Sequence, residues 1–237
     1  MSDIWTMIWK ETKDSVLQGG RTAAIRLLLA IGILGLLLPW QLGQSWLALS
    51  PAALLLILYM PFLFTSMSIG DAIAGERERH TLETLLASRI SDRAILLGKI
   101  LVTVGSAWGM ALVSLLLGMV AANLANGQGR WVFYGSFVLF VEALVLSLLT
   151  SLLATSAGVL ISLRAATVRQ AQQTLALSAV VLLGALILAT RAVPAQVLLT
   201  PATSAPQLWL VVMAALVVLD AILLGATLVS FQRSRLI

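Results

Sequence analysis

The sequence predicts an all-α, polytopic membrane protein: six transmembrane helices, both chain ends cytoplasmic, and an amphipathic helix in the membrane interface ahead of the first span. Three observations carry this. Of the 237 residues 60% are hydrophobic and 11% charged, and mean hydropathy is +1.02. Apolar runs of about 18 residues or more, the length a bilayer core demands, recur along the whole chain. The cations are also one-sided. With the N-terminus inside, Lys10, Lys13, Arg21, Arg26, Arg77, Arg79, Arg89, Arg93, Lys99, Arg164, Arg169, Arg233 and Arg235 all face the cytoplasm. Only Arg130 and Arg191 lie outside, so 13 of the 15 cations obey one orientation. The net charge of +5 is therefore an orientation signal facing anionic lipid, and no nucleic-acid partner is expected.

In residues 2–18, Trp5, Ile8, Trp9, Thr12 and Val16 recur at helical spacing, with Lys10, Lys13 and Asp14 on the wet side. This reads as an interfacial helix, the alternative being a simple extension of the first span; Gly19-Gly20 argues for a break. Residues 1–20 lack the basic tip and apolar core of a cleavable signal. Spans are expected over about 23–40, 51–70, 100–124, 132–161, 174–190 and 207–230. Arg21 and Arg26 snorkel to the headgroups. Asn126-Gly127-Gln128-Gly129 makes a tight turn between the third and fourth. Trp40, Trp46, Trp131, Tyr134 and Trp209 fall at the outer ends, as an aromatic belt would.

The exception to this apolar pattern is residues 71–99, DAIAGERERHTLETLLASRISDRAILLGK. It is too polar for lipid and too regular for a tether, and it reads as a docking element on the membrane surface. Thr81 is a fitting N-cap, Glu83 complements the helix dipole, and Leu82, Leu85 and Leu86 form an apolar edge. Ser91 caps the next helix with Asp92 in its first turn. The alternative is a solvated loop whose charges only hold the topology.

Glu76-Arg77-Glu78, Thr81-Leu82-Glu83, Leu85-Leu86, Ile90-Ser91 and Gly98-Lys99 resemble the signature of type-2, exporter-type ABC transporter permeases. That signature reads roughly E-R-E-x-G-T-L-E-x-L-L, then P-I-S, then G-K. The order of elements resembles the family over the whole chain, 1–237, as one permease domain. His80 stands where the family usually has Gly, and Arg89 where it has Pro. The resemblance implies that 71–99 holds a coupling helix, seated in a cleft of a separate ATP-hydrolysing subunit. Glu76, Arg77, Glu78, His80, Thr81, Leu82, Glu83, Leu85 and Leu86 would then make that contact. It also implies pairing with a second permease, identical or related, and short re-entrant helices within Arg191–Gln207.

The chain has no G-x-x-x-x-G-K-[ST] loop, so no cofactor is expected on it, and ATP and Mg would sit on the partner subunit. With no Cys and one His, neither a metal site nor a catalytic triad is expected. Glu142 and Asp220 are the only acids placed well inside spans, with no cation at matching depth. They are candidates for the translocation path, or protonated helix-packing contacts. Gly105 and Gly109 offer a small-xxx-small pair in the third span. The rival to an ABC permease is a proton-coupled secondary transporter using Glu142 or Asp220. An intramembrane enzyme lacks its His and Cys, and a scaffold gives no reason for buried acids. The expected location is a prokaryotic inner (plasma) membrane, surrounded by its lipids.

Overall fold

The computed structural model describes residues 2–18, 20–80, 90–126, 131–134, 136–192 and 206–231, and all regular structure among them is helical. Helix α1 covers Ser2–Gln18 and stops just before Gly20, whose φ of +55° is a left-handed conformation that glycine adopts cheaply. A rod follows: α2 (Gly20–Gly32), a wider π stretch (Ile33–Leu37) and α3 (Leu38–Leu42). Pro39 explains the π stretch. It has no N–H to give Gly35, and Leu38 N–H reaches back five residues to Ile33 O. Gly35 sits where a Cβ would lie 3.0 Å from Ser114 Cα, so the rod presses backbone to backbone on the long helix Asp92–Asn126.

After α4 (Gln44–Leu47), α5 (Pro51–Gly70) continues through a second π stretch (Asp71–Gly75) into the single turn α6 (Glu76–Glu78). Helix α7 (Asp92–Asn126) begins where Ser91 Oγ accepts the Ala94 N–H at 3.3 Å, the cap the sequence suggests. Then come α8 (Phe137–Arg164), α9 (Val168–Ala192) and α10 (Pro206–Ser230).

Five stretches among the described residues are long and apolar enough to cross a bilayer: Ala24–Leu42, Ala53–Glu78, Asp92–Ala125, Phe137–Arg164 and Met213–Ser230. The expected span 174–190 lies within α9, which is not one of the five. The re-entrant segment expected in Arg191–Gln207 and the turn after Asn126 fall mostly outside the described residues.

Three expectations change. The fourth span begins at Phe137, not Val132, because Ser136 Oγ accepts the Leu139 N–H and caps the helix there. Trp46 and Tyr134 leave the aromatic belt: both are fully buried, while Trp40 and Trp131 stay exposed. Trp46 Nε1 donates to Tyr134 Oη at 3.0 Å, and that hydroxyl donates to Leu115 O at 2.5 Å. Gly118 makes the room, since a Cβ there would meet Trp46 Nε1 at 2.7 Å. Finally, Gly105 and Gly109 face open space in this chain, whereas close approaches occur at Gly35, Gly98 and Gly118.

Helix α8 sits at the centre, packed on α5, α7, α9 and α10. Its buried side includes Ala143, Ser147, Ser151, Ala154 and Gly158, small residues that let helices approach where lipid supplies no hydrophobic drive. A second cluster joins Met7, Ile73, Ile95, Leu96, Val159 and Phe231, so both described chain ends meet at one end of the bundle.

Candidate functional site

That shared end is where the charged segment leaves the bundle, and Glu76, near its start, is joined to Lys99 at its end. Lys99 Nζ lies 3.0 Å from Glu76 Oε1 and 2.9 Å from Glu11 Oε1, and Lys10 Nζ lies 3.1 Å from the same Glu76 oxygen. Lys99 is 2% exposed and Glu76 6%. A buried lysine this dry needs compensation, and two carboxylates in contact supply it. Burial opposes the charge on Lys10, but Glu11 and Glu76 outweigh it and hold its ammonium above the ordinary 10.5. Lys10 therefore does not take the wet side expected of it: it turns into the cluster, half-buried.

Backbone packing completes the clamp. A Cβ at Gly98 would lie 2.6 Å from Met7 Cβ, so α1 can lie on the start of α7 only because position 98 has no side chain. Met7 is buried there, whereas Trp5 and Trp9 on the other side of α1 are 70% and 68% exposed. An amphipathic helix with exposed tryptophans suits a membrane interface, as the sequence suggests.

The E-R-E turn is tied to the connection between α8 and α9 as well. Arg77 donates through Nη1 to Ala165 O at 2.9 Å and through Nη2 to Leu163 O at 3.1 Å. Those carbonyls sit at the C-terminal end of α8, where a guanidinium is favoured by the helix dipole. Glu78 Oε1 accepts the Val168 N–H at 2.9 Å, capping α9, and Ser162 Oγ accepts the Ala74 N–H at 3.0 Å. Four bonds thus fix this short stretch to the region where α8 gives way to α9.

Of the residues predicted to meet a partner, Glu76 is buried in the ion cluster, Arg77 is part-buried on α8, and Glu78 is exposed while capping α9. His80 is exposed with φ +55°, the left-handed conformation that a glycine at this place would adopt freely. Thr81, Leu82, Glu83, Leu85 and Leu86 lie outside the described residues. Sequence reasoning missed Glu11 and Lys10 as partners of this turn. The signal available was Gly98-Lys99, a small residue beside a cation at the edge of an apolar span.

Within the bundle, Asp220 is 3% exposed with neither carboxylate oxygen hydrogen-bonded among the described residues, and Glu142 Oε2 is likewise buried without a partner. They are on different helices, and Glu142 begins the second turn of α8. Six hydroxyl residues of α8, Ser147, Thr150, Ser151, Thr155, Ser156 and Ser162, are buried as well.

No curated protein matches the chain. A family model described as ABC-2 family transporter protein matches residues 44–230, from the start of α4 through the end of α10. That match covers the E-R-E turn, Gly98-Lys99 and both buried acids, on a helical bundle with several apolar helices of membrane-spanning length. The chain belongs to the ABC-2 transporter family: it is a multi-pass membrane component of an ABC transporter, and not itself the ATPase.

Proposed function

We propose that the chain is the permease of an ATP-driven exporter, and that residues 71–99 receive the motion of a separate ATP-hydrolysing subunit. The observation that carries this is the closed base of the segment. A slack loop needs no brace, yet Glu76 and Lys99 are drawn together at 3.0 Å and held to α1, α8 and α9 at once. Movement of a helix between them would reach α1, α7, α8 and α9 through short, charge-assisted bonds. Six crossings fit the same picture. The C-terminal ends of α8 and α10 lie at one end of the bundle, so the chain between them must return, and α9 is the helix available. Its exposed Leu177, Val180, Val181 and Leu188 suit lipid contact.

In this reading Thr81, Leu82, Glu83, Leu85 and Leu86 meet the partner directly, with Glu78 and His80 at the rim. Glu76 and Arg77 hold the segment's footing. Glu142 and Asp220 belong to the path through an assembly of two permeases in a prokaryotic plasma membrane, with both chain ends inside. ATP and Mg bind the partner. The segment's bracing favours this over proton-coupled secondary transport, which has no use for it.

The test is affinity purification of the full chain from its own membrane, wild type beside Glu83→Arg. An ATP-hydrolysing subunit is expected to travel with wild type and to be lost from the variant, with membrane insertion equal in both. A variant that keeps the subunit and transports at the wild-type rate overturns the docking role.

A further inference from the structure

Helix α1 has its charges sorted by side. The acids Asp3, Glu11 and Asp14 stand four or seven positions from Met7, the spacing of one helix face, and Met7 is buried against the start of α7. Lys10, three positions on, shares that face and lies in the ion cluster. On the other side Trp5, Trp9 and Lys13 follow one another every four residues, and all three are exposed. The outward side of the docked helix therefore carries two indoles and an ammonium, and no acid.

Docking changes what this helix shows to a charged surface. Taken whole, residues 2–18 hold three acids and two lysines, so the loose helix is net negative. A loose amphipathic helix also rolls its apolar side chains, Ile4, Met7 and Ile8 among them, into the lipid, and the acids of that face come to the headgroups with them. Anionic headgroups repel such a face. In the docked helix Glu11 is paired with Lys99 at 2.9 Å and Lys10 with Glu76 at 3.1 Å, which leaves Lys13 as the charge of the outward side. An anionic lipid surface thus attracts the docked helix and not the loose one, and a ligand that favours one of two states shifts the balance toward it. Among the described elements α1 packs chiefly on α7, and it joins the rod at Gly20 with φ +55°, so it can lift away without the bundle coming apart. Zwitterionic lipid offers the indoles the same seat but no countercharge for Lys13.

We propose that the Trp5, Trp9 and Lys13 side of α1 binds the headgroup layer of anionic phospholipid, and that this binding holds α1 docked on the base of the charged segment. Because Lys10 and Glu11 belong to α1, anionic lipid thereby keeps the ion cluster around Glu76 and Lys99 closed. The inference rests on the two sides of α1, and it stands whatever drives transport or sets its direction.

The chain has no cysteine, so an introduced thiol is unique. Met7→Cys sets it in the docked contact, and Thr12→Cys sets it on the exposed side. Each full chain is placed in nanodiscs of phosphatidylcholine, with or without one third phosphatidylglycerol, at low ionic strength, and labelled with the neutral reagent N-ethylmaleimide. The ratio of the Met7→Cys rate to the Thr12→Cys rate cancels the effect of surface charge on the thiol. Phosphatidylglycerol is expected to lower that ratio about fivefold, and Lys13→Gln to erase the difference. Brominated lipid reads the same side without a cysteine, and it decides the matter even if Met7→Cys does not dock. The tryptophan emission that Trp5→Phe with Trp9→Phe removes is expected to be quenched more by brominated phosphatidylglycerol than by brominated phosphatidylcholine, and equally by the two in Lys13→Gln. A ratio that is the same in the two compositions overturns the proposal, as does equal quenching by the two lipids in wild type. A phosphatidylglycerol effect that survives Lys13→Gln overturns it in favour of another cationic site. Quenching by neither lipid overturns it in favour of a protein that covers the indoles.

Discussion

His80 shows how one residue can depart from a pattern while the backbone keeps it. The permease signature has glycine where this chain has histidine, and the structure gives that position φ +55°. Histidine tolerates the left-handed region better than branched residues do. We therefore expect His80→Gly to be neutral or slightly stabilising, by up to about 1 kcal/mol, and His80→Val to cost about 1–2 kcal/mol. Chemical denaturation of the two variants beside wild type checks the sign. Lys99 carries a heavier role. Lys99→Met keeps the stem but leaves the half-exposed Lys10 to hold both Glu11 and Glu76, and should cost about 1.5–3 kcal/mol. Restoration by Glu76→Gln added to Lys99→Met would show that the loss is electrostatic; an effect below about 1 kcal/mol would mean that the ion cluster does not hold the segment's base.

At the scale of elements, α1 has two sides with different duties: Met7, Lys10 and Glu11 hold the bundle, and Trp5 and Trp9 face outward. The helix and its tryptophans are legible in the 3.6-residue spacing. The side that binds is not, because Lys10 and Glu11 look like any solvated pair until α6 and α7 bring Glu76 and Lys99 beside them. The same limit explains the fourth span. Val132 to Gly135 is apolar enough to extend it, but Ser136 as cap and the inward turn of Tyr134 are tertiary facts. A pH prediction belongs to α1. Lys10 has a raised pKa in the folded chain, so its contribution is complete below 10.5 and is lost as pH rises through the higher folded value. Because Lys10 is partly exposed, the effect is modest. Melting curves from pH 8 to 11.5 should show wild type and Lys10→Met converging above about pH 10.5; parallel curves would remove Lys10 from the clamp.

Over the whole molecule, hydropathy made the helical membrane architecture legible, because bilayer thickness acts directly on sequence. The site was legible only in part. The motif marks where the segment lies, but the bracing of Glu76 by Lys10 and Lys99 depends on contacts between helices far apart in the chain; the hydroxyls of α8 already stand close together in the sequence, and only their burial is a tertiary fact. The bundle has a stiff footing at one end and a polar seam inside it, the parts an externally driven permease needs. The direct test is the nucleotide requirement of transport, measured in liposomes holding the purified chain with and without its ATP-hydrolysing partner. We expect solute flux only with the partner and ATP present, and none with Glu83→Arg. Sustained flux through the chain alone, without nucleotide, would contradict the account.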